Sequence, residues 1–171
     1  EFIPVSSTGH LILARDMFGI ATDYGLAIDA VLQLATVLAV VVYFWKDIVG
    51  IITTRNMRMI GVLIIATVLA VVVGYFIEDW MATVFRDAHV VAYALIAGSF
   101  VMLLAEYWTR PSVTEVSYRG ALVVGLFQCL ALVPGMSRSC MTIAGGMFLG
   151  LGRVEAARFA FLLSVPILLG T

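Results

Sequence analysis

Four stretches of this chain are long and apolar enough, or nearly so, to cross a lipid bilayer, and that restricts what it can fold into. They occupy residues 28–45, 59–77, 90–108 and 119–133; a fifth, 154–171, runs to the last residue. A bilayer's hydrocarbon core is about 30 Å thick, so a helix needs about 20 apolar residues to span it. These stretches are apolar on every face, whereas spanning strands are short and alternate in polarity. Trp45, Trp80 and Trp108 sit at the ends of such runs, where indole rings favour the membrane interface. The expected fold is therefore all-α, a polytopic membrane helical bundle forming one domain over 1–171. Composition agrees: 63% of residues are hydrophobic and 12% charged, about half the charge of a soluble domain.

The formal net charge is −1, with Lys46 the one lysine beside nine arginines. No basic face is visible, which argues against nucleic acid as a partner. Residues 46–58 hold three Lys/Arg, 78–89 one with three acids, and 109–119 two. The positive-inside rule then puts 46–58 and 109–119 in the cytoplasm and 78–89 outside. Cys129 and Cys140 read as small buried residues; they are too few for a disulfide scaffold and lack metal-type spacing. No signal peptide is recognisable at residues 1–8. The chain begins at Glu1 and ends inside an apolar run, so it reads as a fragment truncated at both ends, with groups that complete a site expected beyond it.

Two polar segments interrupt the apolar pattern. The first is Glu1-Phe2-Ile3-Pro4-Val5-Ser6-Ser7-Thr8-Gly9-His10. Proline and glycine break helices, and broken backbone at membrane depth survives only buried in protein or lining a wet cavity. The stretch 11–20 after it is too short to span, so a re-entrant segment is expected. The plainer alternative is an extramembrane loop with Ser6, Ser7 or Thr8 as a helix cap. The second segment, Pro134-Gly135-Met136-Ser137-Arg138-Ser139-Cys140-Met141-Thr142, lies between two apolar runs. An arginine there is unfavourable in lipid by about 2.5–3.5 kcal/mol unless it faces an interior cavity. Gly135 permits close backbone approach, the helix start offers N–H groups to an anion, and Arg138 supplies a fork suited to phosphate oxygens. Ser137, Ser139 and Thr142 add hydroxyls, and Ser6 and Thr8 join them as candidate substrate-binding residues. The alternative for Arg138 is snorkelling to the interface.

The segments echo one another: Met17-Phe18 come thirteen residues after Pro4, and Met147-Phe148 thirteen after Pro134. Paired interrupted segments point to a site built from structural repeats, here with halves of roughly 1–106 and 119–171. The octapeptide ATVLAVVV at 35–42 and 66–73 reads as generic membrane helix. Asp29 and Gln33 share a helical face and point to the same cavity or to the water boundary. Arg15, Asp16, Arg153, Glu155 and Arg158 read as interfacial charges, and His89 as a solvated loop histidine.

EFIPVSSTGHLIL followed by VPGMSRSCMTIAGGMFLG resembles the undecaprenyl-diphosphate phosphatase family, the bacitracin-resistance membrane phosphatases. QLATVLAVVVYFW and LVVGLFQCLALVPG are similar to it as well, and the resemblance covers essentially the whole chain. It implies hydrolysis of an isoprenoid diphosphate lipid, undecaprenyl diphosphate, to the monophosphate carrier used in peptidoglycan synthesis. It also implies a bacterial plasma membrane location and a helical fold with two re-entrant regions in an inverted repeat. Residue by residue, Glu1 matches the second glutamate of an ExxxE pair, Ser7 and His10 match that motif's serine and histidine, and Arg138 matches the arginine of PGxSRSGxT. Cys140 departs from the family's usual glycine. A cysteine suits a right-handed helix but not a positive φ, which puts the local backbone in question. The resemblance further implies a divalent cation, Mg or Ca, with Glu1 as a ligand. Self-association into a homo-oligomer stays open.

On this reading Arg138 and neighbouring N–H groups hold phosphate. Ser7 is the candidate nucleophile, and His10, three residues on, is its base. Glu1 orients His10 or binds the cation. An activated water attacking phosphorus directly is the alternative chemistry. A transporter or lipid flippase would show the same broken helices; the grouping of Glu1, Ser7 and His10 favours an enzyme, since transport needs no nucleophile.

Overall fold

The computed structural model describes residues 3–18, 25–84 and 88–170. Glu1 lies outside the described residues, as do the side chains of Thr8 and Asp29. The described chain is a bundle of eight helices: α1 Ser7–Phe18, α2 Gly25–Tyr43, α3 Trp45–Thr53, α4 Met57–Val84, α5 Ala88–Trp108, α6 Tyr118–Leu130, α7 Arg138–Phe148 and α8 Arg153–Gly170. The all-α expectation holds, and the apolar runs fall where the sequence places them, but α4 continues through 78–84, expected in a connection, and two further differences appear.

The run 28–45 does not end in a loop. It breaks at Phe44 by 67°, and the chain continues as the nine-residue helix α3. By length and composition, two helices among the described residues can cross a membrane, Met57–Ile77 and His89–Trp108, and three if the bent pair counts as one span. The second difference is the run 119–133. Only 119–130 of it is helical, within the 13-residue helix Tyr118–Leu130, a length of about 20 Å, short of the ~30 Å a crossing requires. Its helix α6 is one arm of a hairpin whose other arm is α7.

Both ends of that hairpin lie at one end of the bundle. The Tyr118 ring sits against Gly61, near the start of α4, so closely that a Cβ there would come within 2.9 Å of it. The turn after α7 is tied to the loop after α5: the N–H groups of Ser112 and Val113 donate to the Gly150 carbonyl at 2.9 and 3.1 Å, and Val113 bridges Leu151. Gly150 adopts φ +90°, the left-handed turn that commonly ends a helix and that glycine adopts without Cβ strain. The tip lies far away. A Cβ on Gly135 would meet the Val91 carbonyl at 2.6 Å and the Ala94 Cβ at 2.8 Å. Val91 and Leu95 precede Trp108 by 17 and 13 residues, so the tip reaches about 20–25 Å into the bundle. The hairpin enters and leaves on the same side, which is what re-entrant means. Ion pairs tie this basic end together: Arg58 to Glu115 at 3.0 Å, Arg153 to Glu106, and Arg158 to Asp47. The first of these joins 46–58 to 109–119, so the two segments expected on one membrane face do share one end of the fold.

The core is built from small residues where helices cross. Ala66, Ala105, Ala121, Ala144 and Ala156 are fully buried among Val62, Val124, Met147 and Leu163. Apolar side chains gain little by leaving lipid, so close backbone approach carries more of the packing. Gly125 shows it: a Cβ there would lie 3.0 Å from Leu69 and 3.3 Å from the Ala66 Cα and carbonyl. One turn along, the buried Gln128 amide donates to that carbonyl at 3.3 Å. Gly125→Leu is therefore expected to push α4 from α6 and to destabilise the fold by about 1–3 kcal/mol, read as a lowered unfolding temperature in detergent; an unchanged temperature would contradict this packing.

Candidate active site

Each motif becomes the start of a helix, and the two starts are capped alike. Ser6 precedes α1 and Ser137 precedes α7. Both are buried, and both hold φ at 58°. The Ser6 Oγ accepts from the Gly9 N–H at 3.2 Å, and the Ser137 Oγ accepts from the Cys140 N–H at 3.3 Å. A positive φ in a residue with a Cβ is strained by about 1–3 kcal/mol and persists where surroundings enforce it, commonly at functional sites. The matched caps refine the internal similarity. The prolines align with an offset of 130 residues, the caps with 131. The second loop has one more residue between proline and cap, and Gly135 takes up the difference at φ +104°. By cap position Ser7 corresponds to Arg138, each being the first residue of its helix.

The two segments touch. A Cβ on Gly9 would come within 3.2 Å of the Gly135 Cα. Between them and α5 lies a cavity of about 580 Å³, lined from the first segment by Pro4, Val5 and His10 and from the second by Gly135, Met136, Ser137 and Cys140. The α5 wall consists of Leu95, Ile96, Gly98, Ser99, Phe100 and Leu103. This wall is the part of the site not expected from the motifs. Its signal was the Gly98-Ser99 pair, two small residues in the middle of an apolar run: a Cβ on Gly98 would lie 3.2 Å from the Met136 carbonyl.

His10 is exposed in the protein alone, and its Nδ1 lies 2.9 Å from the Ser6 carbonyl. A carbonyl only accepts, so Nδ1 carries the proton and the neutral ring keeps a lone pair on Nε2. The backbone of the first cap thereby fixes the tautomer a general base needs. Ser7 lies three residues before His10 on α1, the spacing of helical neighbours. Arg138 is half-buried at the start of α7.

The serines and threonine of the second segment differ in what they offer. The Ser137 and Ser139 hydroxyls lie 3.2 Å apart. The Thr142 hydroxyl, buried, turns back on its own helix and donates to the Arg138 carbonyl at 2.8 Å. Cys140 sits in the first turn of α7, a right-handed conformation that accommodates its Cβ, and its thiol packs 3.5 Å from the Gly98 carbonyl. The departure from glycine therefore leaves the backbone intact. The interfacial charges Arg153 and Arg158 are engaged in the ion pairs described above, and His89 is exposed but sits in the first turn of α5, not in the loop expected.

Among the described residues no three His, Cys, Asp or Glu side chains cluster as a metal site, and the cavity lining holds no carboxylate. These donors alone do not fit a divalent cation, which favours carboxylate oxygens; Glu1, the expected ligand, is outside the described residues.

An apolar helical bundle with a re-entrant hairpin, and two serine-capped helix starts meeting beside one cavity within it, defines an integral membrane protein with an internal candidate site. The family model described as bacitracin resistance protein BacA matches residues 1–171, and the chain belongs to that family, whose members are lipid-diphosphate phosphatases.

Gly135→Ala tests the geometry of the meeting point. A left-handed alanine is less favourable by about 1–2 kcal/mol, and its Cβ would clash with the Val91 carbonyl. Both a lowered unfolding temperature and loss of phosphatase activity are expected; a fully active, equally stable Gly135→Ala protein would show that the tip does not need this contact.

Proposed function

We propose that this protein hydrolyses undecaprenyl diphosphate to undecaprenyl phosphate and inorganic phosphate, recycling the lipid carrier of peptidoglycan synthesis, as a multi-pass protein of the bacterial plasma membrane. The observation that carries this is the convergence of two serine-capped helix starts on one cavity that also holds His10 with its Nδ1 proton fixed. Helix N-termini attract anions; two of them beside Arg138 suit the several charges of a diphosphate. The apolar α5 wall suits a prenyl chain.

The Ser7 Oγ attacks the terminal phosphorus, and its proton passes to the His10 Nε2. The bridging P–O bond breaks, and undecaprenyl phosphate leaves with the bond's electron pair. The His10 imidazolium gives the Ser7 proton to the leaving oxygen or to bulk water. The neutral His10 then takes a proton from a water that attacks the phosphorus, returns it to the Ser7 oxygen as the Ser7–phosphorus bond breaks, and inorganic phosphate leaves. Arg138 and the N–H groups at the start of α7 stabilise the charge on the equatorial oxygens. Ser6 and Ser137 shape the helix starts, while Ser139 and Thr8 are the hydroxyls assigned to substrate. The family implies a divalent cation; Glu1 would be its ligand, and the ion would offset charge on the phosphate oxygens.

Arg138→Ala is expected to lower phosphate release from the lipid diphosphate by about 100–1,000-fold in detergent-solubilised protein that still folds; unimpaired release would remove Arg138 from the site. Detergent also separates catalysis from transport, since no second compartment exists there. His10→Ala should cost about 100–10,000-fold. Ser7→Ala should abolish turnover, and a phosphoserine should be trapped on Ser7 in the wild-type protein by acid quench; normal turnover without Ser7 would favour direct attack by water. Chelation with EDTA should stop phosphate release, and added Mg or Ca should restore it.

A further inference from the structure

Away from this cavity a second, almost wholly apolar groove of about 310 Å³ lies between α3, α4 and α8. It exists because the 67° break at Phe44 turns α3 off the axis of α2, leaving α3 with no buried residue. Ile48 and Ile52 line one wall, Ile60 and Ile64 the second, Leu162 and Pro166 the third. Two polar features border this surface. The Thr67 side chain lines the groove, and its hydroxyl is buried without a hydrogen-bond partner. Pro166, inside α8, has no N–H to give the carbonyl of Leu162. The Thr67 hydroxyl is buried beneath this surface, so the groove itself offers an occupant an apolar lining.

The groove lies at the basic end of the bundle. Lys46 is two residues before Ile48, Arg55 is in the α3–α4 turn, Arg58 is two residues before Ile60, and Arg158 is one turn before Leu162. Glu115 pairs with Arg58 and Asp47 with Arg158. Lys46 and Arg55 are exposed and form no ion pair among the described residues. Basic side chains at the edge of a groove between membrane helices select anionic head groups.

We propose that this groove binds an anionic glycerophospholipid. Its phosphate lies at Lys46 and Arg55, and one acyl chain fills the apolar space between α3, α4 and α8. None of these residues belongs to the phosphatase machinery, so the site is separate from the reaction proposed above.

The test is native mass spectrometry of the full chain, purified in detergent, titrated with phosphatidylglycerol and phosphatidylcholine bearing identical chains. Phosphatidylglycerol should bind more tightly. The double variant Lys46→Gln/Arg55→Gln should lose that preference by about thirty-fold, or about five-fold for each charge removed, with phosphate release unchanged. Arg55→Lys, which keeps the charge, should retain it and guards against a folding defect in the double variant. Equal binding of the two lipids, or an undiminished preference in the double variant, would overturn the proposal. So would stoichiometric displacement of phosphatidylglycerol by undecaprenyl phosphate, which would assign the groove to the prenyl chain, or its exclusion by a dimer covering the face.

Discussion

The architecture depends on how close a backbone can come to another backbone at the tip of the α6–α7 hairpin. In lipid, every N–H and C=O released by breaking a helix must find a partner inside the protein. The break between α6 and α7 meets that demand locally. The Met136 N–H donates to the Val133 carbonyl at 3.0 Å, and Ser137 caps α7. Gly135 then lets the whole turn press against α5 and the first motif, with space for no more than a hydrogen at its Cα. Gly9 and Gly98 complete the arrangement, each facing backbone of the second segment. Three glycines from distant parts of the chain thus make one contact, and the cavity is the space left beside it.

That contact explains why the site lies deep although both its loops are short. A 13-residue α6 takes the chain about 20 Å inward, and the 11-residue α7 brings it back. The return is anchored where Gly150 turns and accepts two N–H groups from the α5–α6 loop. The ion pairs gather at that same end, so the charged and strapped part of the fold is remote from the cavity. The bundle is held at its basic end and opened to chemistry well inside.

Much of this was legible in the sequence because lipid simplifies the code. Apolar length alone located α2, α4, α5 and α8. The chemistry of proline, glycine and serine located the two broken segments. Breaks without such residues were not legible. Phe44 ends α2 with no proline or glycine beside it, and α3 is amphipathic enough to read as a polar connection. The run 119–133 looked like a span because hydropathy counts residues and not helical ones; Pro134 already ends the helix, and its last helical residue is Leu130. Within the site, the motif residues came from pattern, but the α5 wall did not, because its contribution is spatial and Gly98-Ser99 is a slight interruption in a run read for its hydropathy.

The paired caps show a deeper economy. Ser6 and Ser137 share φ, burial and the hydrogen bond they accept, so the chain uses one local solution twice to start a helix inside the bundle. Beyond the caps, the two helices diverge at the positions to which the proposed reaction assigns roles. The first helical residue is Ser7 in one and Arg138 in the other, and three residues further on stand His10 and Met141. The repeated geometry supplies two anion-attracting helix starts; the substitutions at equivalent positions divide the work. Under the proposed reaction one start carries the group that attacks phosphorus and the other the charge that holds it. A single copy would offer either a nucleophile without its anchor or an anchor without its nucleophile. The contact of Gly9 with Gly135 is therefore what turns two similar loops into one site.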